Sequence, residues 1–385
     1  MPRPDPHTET PGEPGAGPVE SECREVLGAP PDEIERLTHS VVASTTGGVF
    51  RVRAGGRSAV VKVVAPRSAD PADASRSPAS FRWWRREADL LRAPLLSPYR
   101  EAGLRPPVLL AALERGPERI ALWEEVFDGP RGDTWDLSLF EDAARRLGEA
   151  QGVLAGTRVD HPAASRGFLR DYLAEKAATI PYALLDDEAS WAHPAIRAAF
   201  PPGLDQAMRR LHADQARLLA WVEAGPRTVA HLDVWPLNLF ALDSGLGLVD
   251  WAFAGDGALG EDPGNLVLDA VLDLHHPASI LPDLDVAVFR GYLDGLNDAG
   301  WDGHERAVRL AMCASAVKYD WLAPAMLRRA GETELVGYGG QRVADVERLF
   351  AERGTALAFI AERADEARRL AAELAAADPE TSGPG

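Results

Sequence analysis

Hydrophobic and polar positions follow a strand-like period up to about Phe127 and a helical one from Ser138 onward. Cys23 to Leu37 has the pattern of a short helix interrupted by Pro30 and Pro31. His39 to Val64 predicts a three-stranded antiparallel meander. Ser44-Thr-Thr-Gly-Gly48 reads as a turn between Ser40–Ala43 and Val49–Val52, and Ala54-Gly-Gly56 as a turn into Ser58–Val64. Ser80 to Arg92 predicts a helix with Ser80 as N-cap and Trp83, Glu87, Leu90 and Leu91 on one face. Pro106–Leu113 and Arg119–Phe127 predict two more strands, the second stopped by Asp128-Gly-Pro130.

The helical part opens with Leu139 to Leu154, apolar at 139, 140, 143, 147, 150 and 154. Gly167–Ala178, Leu204–Val222, 284–299, 303–328 and 341–376 follow with the same period. One stretch breaks it. Thr228-Val-Ala230 reads as a short strand and His231 to Asn238 as a polar loop. Leu239–Leu242 and Leu246–Val249 form a hairpin turned by Asp243-Ser-Gly245. Asp233 and Asn238 sit at the two ends of the loop, and the hairpin returns Asp250 beside them. Two carboxylates and an amide oxygen, with no cysteine or histidine cluster near, suit a hard cation such as Mg2+.

Lys62 interrupts the apolar run Ala59-Val-Val-Lys-Val-Val64. A buried ammonium is costly unless paired. It is therefore either an edge-strand lysine facing solvent or one with a carboxylate partner. Glu87, on the apolar helix face, fits as that partner; a solvated helix charge is its other reading.

Composition narrows the classes. The chain has 385 residues, 46% of them hydrophobic and 26% charged, enough for two lobes with a sizeable core. A net charge of -18 argues against a nucleic-acid partner and leans toward a cationic substrate. Two cysteines, Cys23 and Cys313, make neither a disulfide framework nor a metal-ligand spacing. A reducing cytoplasm is the expected compartment. No membrane partner is expected, since no apolar run is long enough to span a bilayer, and the N-terminus lacks a secretory apolar core. Residues 1–20, rich in Pro, Gly and acids, and 378–385 are expected to be unstructured tails.

His231-Leu-Asp233-Val-Trp-Pro-Leu-Asn238, followed by Val249-Asp250-Trp251, resembles the catalytic loop and metal aspartate of the aminoglycoside phosphotransferase family. That family belongs to the wider group of protein-kinase-like small-molecule kinases. Its pattern is H-G-D-x-x-x-x-N, from which Leu232 departs. The resemblance implies an α+β, two-lobed protein-kinase-like fold. A small antiparallel-sheet lobe with one αC-type helix would span 21–128. A mostly helical catalytic and acceptor-binding lobe would span 129–377, with 156–166 and 180–203 as part of an acceptor-binding insertion.

ATP and Mg2+ are the implied cofactors. By resemblance Asp233 is the catalytic base or hydroxyl-orienting residue, His231 buttresses it, and Asn238 and Asp250 hold the metal. Lys62, set by Glu87, would hold the α- and β-phosphates. Gly47 and Gly48 would cover the phosphates, with a plain hairpin turn as an equal reading. Backbone groups of Glu125, Val126 and Phe127 would bind adenine; core packing of Trp123 and Phe127 is an equal reading. Asp262, in a Gly-rich segment similar to one in the family, either braces the catalytic loop or caps a helix from Pro263 to Leu274.

The implied activity moves the γ-phosphoryl group of ATP to a hydroxyl of a small molecule. An aminoglycoside or other cationic antibiotic is the first expectation, with maltose-type sugars and choline-type alcohols as alternatives. Asp256, Glu261, Asp269, Asp273 and Asp320 would either attract such a cation or lie on solvated helix faces. A nucleotide-binding pseudokinase or scaffold is the alternative of another class. Such proteins usually lack one of the groups kept here at Lys62, Asp233, Asn238 and Asp250. A protein kinase is disfavoured because no A-P-E-like signature follows Asp250.

Overall fold

The computed structural model describes residues 16–39, 45–157, 159–337 and 342–377. In chain order the elements begin α1 Ala16–Leu27, β1 Glu33–Arg36, β2 Thr46–Ala54, β3 Arg57–Val64, α2 Arg86–Arg92, α3 Ser97–Glu101, β4 Leu104–Arg105, β5 Leu109–Glu114 and β6 Ile120–Glu124. Next come α4 Leu137–Val153, β7 Ser165–Arg166, α5 Phe168–Thr179, α6 Glu188–Trp191, α7 Pro194–Ala199, α8 Leu204–Ala213 and α9 Gln215–Glu223. They are followed by β8 Arg227–Ala230, β9 Leu239–Leu242, β10 Gly245–Leu248, β11 Gly255–Ala258 and α10 Glu261–Leu272. The last are α11 Leu281–Asp298, α12 Glu305–Ala314, α13 Leu322–Arg328 and α14 Val346–Ala377. Contacts divide the chain into two compact units, Met1–Arg67 with Val108–Val126, and Ser68–Pro107 with Phe127–Gly385.

The first unit is a five-stranded sheet in the order β1-β2-β3-β6-β5, antiparallel throughout. Alternate residues share a face. Ala59, Val61 and Val63 of β3 pack with Val52, Ala54, Trp123 and the α1 residues Val19, Cys23 and Leu27. Lys62 has the other parity and points to the opposite face. Its strand is central, with Val49 and Leu122 as cross-strand partners, so the edge-strand reading falls.

Three expectations are corrected in this unit. Residues 16–20 are the start of α1 and not part of an unstructured tail. The helix expected over 23–37 ends at Leu27, where Gly28 adopts φ +78 and donates back to Arg24 O at 3.1 Å; Pro30 and Pro31 then block its resumption. Glu33–Arg36 is instead β1. Gly47 and Gly48 lie inside β2, with a bulge between Thr46 and Gly48, so the turn expected at 44–48 does not include them. The turn expected at Ala54-Gly-Gly56 does join β2 to β3, with Gly55 and Gly56 at positive φ. The strand expected at Ser40–Ala43 and the tail at 378–385 lie outside the described residues.

The second unit is mainly helical with two small sheets, β4-β10-β9 and β7-β11-β8. Asp136 caps α4 by accepting from Leu139 N at 3.1 Å. The helix expected over Leu204–Val222 is two helices, α8 and α9, separated by Asp214. The helix expected over Ser80–Arg92 is α2 alone, and Ser80 caps only a turn, with Oγ accepting from Arg82 N at 3.1 Å. The cause is Arg86. Its guanidinium takes Phe81 O and shares Ser80 O, at 2.6 Å, with Trp83 N, while Trp84 N donates to Ser75 O at 3.1 Å and not to Ser80 O as in an α-helix. Trp84, not Trp83, becomes the buried tryptophan.

Candidate active site

The polar loop between β8 and β9 is assembled from behind by buried groups. Asp262, fully buried, accepts from His231 N and Leu232 N, each at 2.7 Å, and from Gln151 Nε2 at 2.6 Å. Of its two expected readings, it braces the loop; Gly260 is the N-cap of α10. Burial pushes the Asp262 carboxyl up even though these donors oppose the rise. Gln151 in turn bonds Tyr99 Oη at 3.0 Å and accepts from Tyr292 Oη. Tyr99 Oη donates to Val229 O at 2.7 Å. The sequence offered one sign of this hub: Gln151 is a polar residue on the buried stripe of α4.

His231 is fully buried. Asp233 N donates to its Nδ1 at 3.2 Å, so Nε2 carries the proton and donates to Val249 O at 3.0 Å. The ring lies edge-on to Trp251 at 4.6 Å. Both nitrogens are therefore spent on backbone. Sequence reasoning grouped His231 with the catalytic residues; the geometry makes it a positioning residue that ties Asp233 to the strand end carrying Asp250.

Asn238 Nδ2 donates to Asp233 O at 3.1 Å, and Val249 N donates to Asn238 O at 3.0 Å. With its amide nitrogen engaged, Oδ1 is the Asn238 atom left for a cation. Asp250 sits at φ 65, ψ 64, in the left-handed region that a short polar side chain tolerates. An amide oxygen and the carboxylates of Asp233 and Asp250, on one stitched loop and hairpin, fit Mg2+ by donor chemistry.

The loop after Asp250 is held by α2. Glu87 Oε1 accepts from Trp251 N at 3.0 Å, and Arg86 donates to Ala252 O at 3.1 Å and Ala163 O at 2.7 Å. Arg86 was given no role from the sequence. It is fully buried, and burial lowers its guanidinium to about 10.

The segment after this loop, read as Gly-rich and acidic, contains β11, paired antiparallel with β8. Its glycines permit close approach. A Cβ on Gly255 would lie 2.3 Å from Ser165 N, and one on Gly257 would lie 2.5 Å from Ala230 Cβ.

At the expected adenine segment, Glu125 N donates to Val108 O at 2.9 Å in the first unit. Trp123 is core, with Nε1 donating to Glu22 Oε2 at 3.0 Å. Phe127 packs in the second unit edge-on to Phe240 at 5.8 Å, under the Arg105 guanidinium.

No protein-family model and no curated protein matches the chain. Solved structures do match. An amicoumacin kinase in complex with AMP-PNP and Ca2+ gives a TM-score of 0.54 at 12% identity, over 90% of this chain and 93% of that one. A choline kinase from Cryptosporidium parvum gives 0.51 at 13% identity, over 91% and 96%. The aminoglycoside phosphotransferase APH(4)-Ia gives 0.51 at 12% identity, over 91% and 99%. The chain has the α+β, protein-kinase-like fold that these small-molecule kinases share.

Proposed function

We propose that this chain is an ATP- and Mg2+-dependent O-phosphotransferase acting on a hydroxyl of a small molecule, a member of the aminoglycoside phosphotransferase group of kinases. The observation that carries the reading is the polar loop. His231 joins Asp233 to the strand end bearing Asp250, Asn238 bonds Asp233 O and Val249 N, and the loop hangs from Asp262. Lys62 is assigned to the α- and β-phosphates. Gly47 and Gly48 are assigned to the phosphate cover, and the backbone at Glu125, Val126 and Phe127 to the base. Asn238 Oδ1 and Asp250 would hold Mg2+, which when bound neutralises phosphate charge. Asp233 receives or steers the acceptor hydroxyl's proton while the oxygen attacks the γ-phosphorus.

The test is an Asp233→Ala variant. Acceptor-dependent ADP release should fall at least about 1,000-fold, within the range general-base loss allows. Mg2+-dependent thermal stabilisation by ATP should persist. Full turnover in this variant refutes the assignment. Nucleotide stabilisation of the wild type that ignores Mg2+ favours a scaffold instead.

A further inference from the structure

This inference rests on the kinase reading and addresses the acceptor. The wall next to the polar loop is aromatic. Phe81 and Phe168, with Tyr172 against them, pack on Leu232, the residue before Asp233. Phe168 and Tyr172 stack at 5.8 Å. Burial, then Asp269 and to a smaller extent Asp233, raise the hydroxyls of Tyr172 and Tyr319 on this wall. An aromatic wall beside a hydroxyl-activating carboxylate is the chemistry that would hold a substrate ammonium.

Here the wall already holds ammonium groups of its own. Lys176 Nζ lies 4.3 Å from the Trp321 ring and 5.0 Å from Tyr172. Lys318 Nζ lies 5.7 Å from Phe168, 5.9 Å from Tyr172 and 5.5 Å from Tyr319. Lys318 has Asp269 at 3.8 Å. Lys176 has no carboxylate at ion-pair distance among the described residues, and its neighbour Glu175 is held by both arms of Arg82.

The carboxylates that could greet a cation are engaged elsewhere. Asp256 pairs with Arg227 at 3.1 Å and Asp273 with Arg353 at 3.1 Å. Asp320 accepts from Tyr182, His212 and Gln215 at 2.7, 3.1 and 2.7 Å. Glu261 accepts from Ala258 N at 2.8 Å and is buried, and Asp269 faces Lys318. All five acids of the expected cation attractor have an internal partner.

We infer that the acceptor carries an oxyanion group, a carboxylate or a phosphate, received by Lys176 on its aromatic seat, and not an ammonium. Lys176 is thus a specificity-determining residue. The energetic logic is substitution: an incoming ammonium would have to displace a tethered one from the same ring faces, whereas an oxyanion completes its charge.

The test measures ADP release by the full chain with ATP and Mg2+. D-Gluconate and glucose 6-phosphate are the oxyanion probes, glucose the neutral one and D-glucosamine the cationic one. At least one oxyanion probe should exceed glucosamine in kcat/KM by about tenfold or more, and comparison of the two separates carboxylate from phosphate. Lys176→Met should lower that advantage to near unity, mainly through KM, and Lys176→Glu should reverse it. The wild-type comparison needs no variant to fold. Preference for glucosamine, or an equal or absent response to all four, overturns the inference; retained Mg2+-dependent stabilisation by ATP then leaves the kinase reading standing. Absence of that stabilisation sinks the kinase reading itself.

Discussion

Leu232 shows how a single residue can hold a costly conformation. Its φ of 67 lies where side chains are penalised by about 1–2 kcal/mol, yet it is fully buried against Phe81 and Phe168. Burying a leucine is worth about 1.5–3 kcal/mol, so packing outweighs the strain. Leu232→Ala loses packing and keeps the strain, while Leu232→Gly loses packing but relieves it. Both variants should be destabilised, but Gly should be at least as stable as Ala in urea unfolding. The order would reverse if the backbone were relaxed. Glu261 supplies the second residue-scale prediction. Burial raises its carboxyl from 4.5 to about 7, so between those values the folded chain binds more protons than the unfolded one. Its contribution is complete below pH 4.5 and is lost as pH rises through 7. The cost at pH 8 is on the order of 3 kcal/mol. Glu261→Gln, which can still accept from Ala258 N, should raise Tm at pH 8 and change it little at pH 4.5. Equal shifts at both pH values would discount the raised carboxyl.

Among the elements, α2 has the most to test. Its Arg86 and Glu87 fasten the Trp251–Ala252 backbone, so a seven-residue helix fixes the exit of Asp250. Arg86→Lys cannot reproduce the planar fork that reaches Ala163, Ser80 and Ala252. It should cost about 3 kcal/mol or more in urea unfolding, close to Arg86→Met, because buried carbonyls lose their donors in both. A loss below about 1 kcal/mol would show the network relaxes. The same helix marks the limit of pattern reading. Periodicity found the strands around Lys62, the hairpin before Asp250 and α4, since each has a regular apolar repeat. It overextended α2 because a guanidinium competing for carbonyls leaves no periodic trace. It missed β11 because Gly255 and Gly257 answer to Ser165 and Ala230, remote in sequence, and not to strand propensity. The loop and hairpin that carry Asp233, Asn238 and Asp250 were legible from turn residues and strand alternation. Asp262 was left between two readings, and the Gln151 contact that supports one of them joins residues 111 positions apart.

For the whole molecule, the net charge of -18 first pointed to a cationic acceptor. The oxyanion proposal runs against that expectation, because Asp256, Asp269 and Asp273 already pair with Arg227, Lys318 and Arg353. Net charge describes encounter at a distance; local pairing decides what is held. Both cysteines are buried, and burial pushes the Cys313 thiol up to about 12. Ellman's reagent should therefore label the native chain slowly and both thiols promptly in denaturant. Rapid native labelling would mean the helical interior opens.

The bracing of the polar loop by Asp262 and Gln151 has an evolutionary consequence. A reactive segment suspended from the interior does not depend on the outer helices for its shape. On the oxyanion proposal, substitutions at Lys176 or Trp321 would rewrite what is recognised while the hydrogen bonds from Asp262 and Gln151 stay in place. Such a scaffold can diversify one property without forfeiting the other.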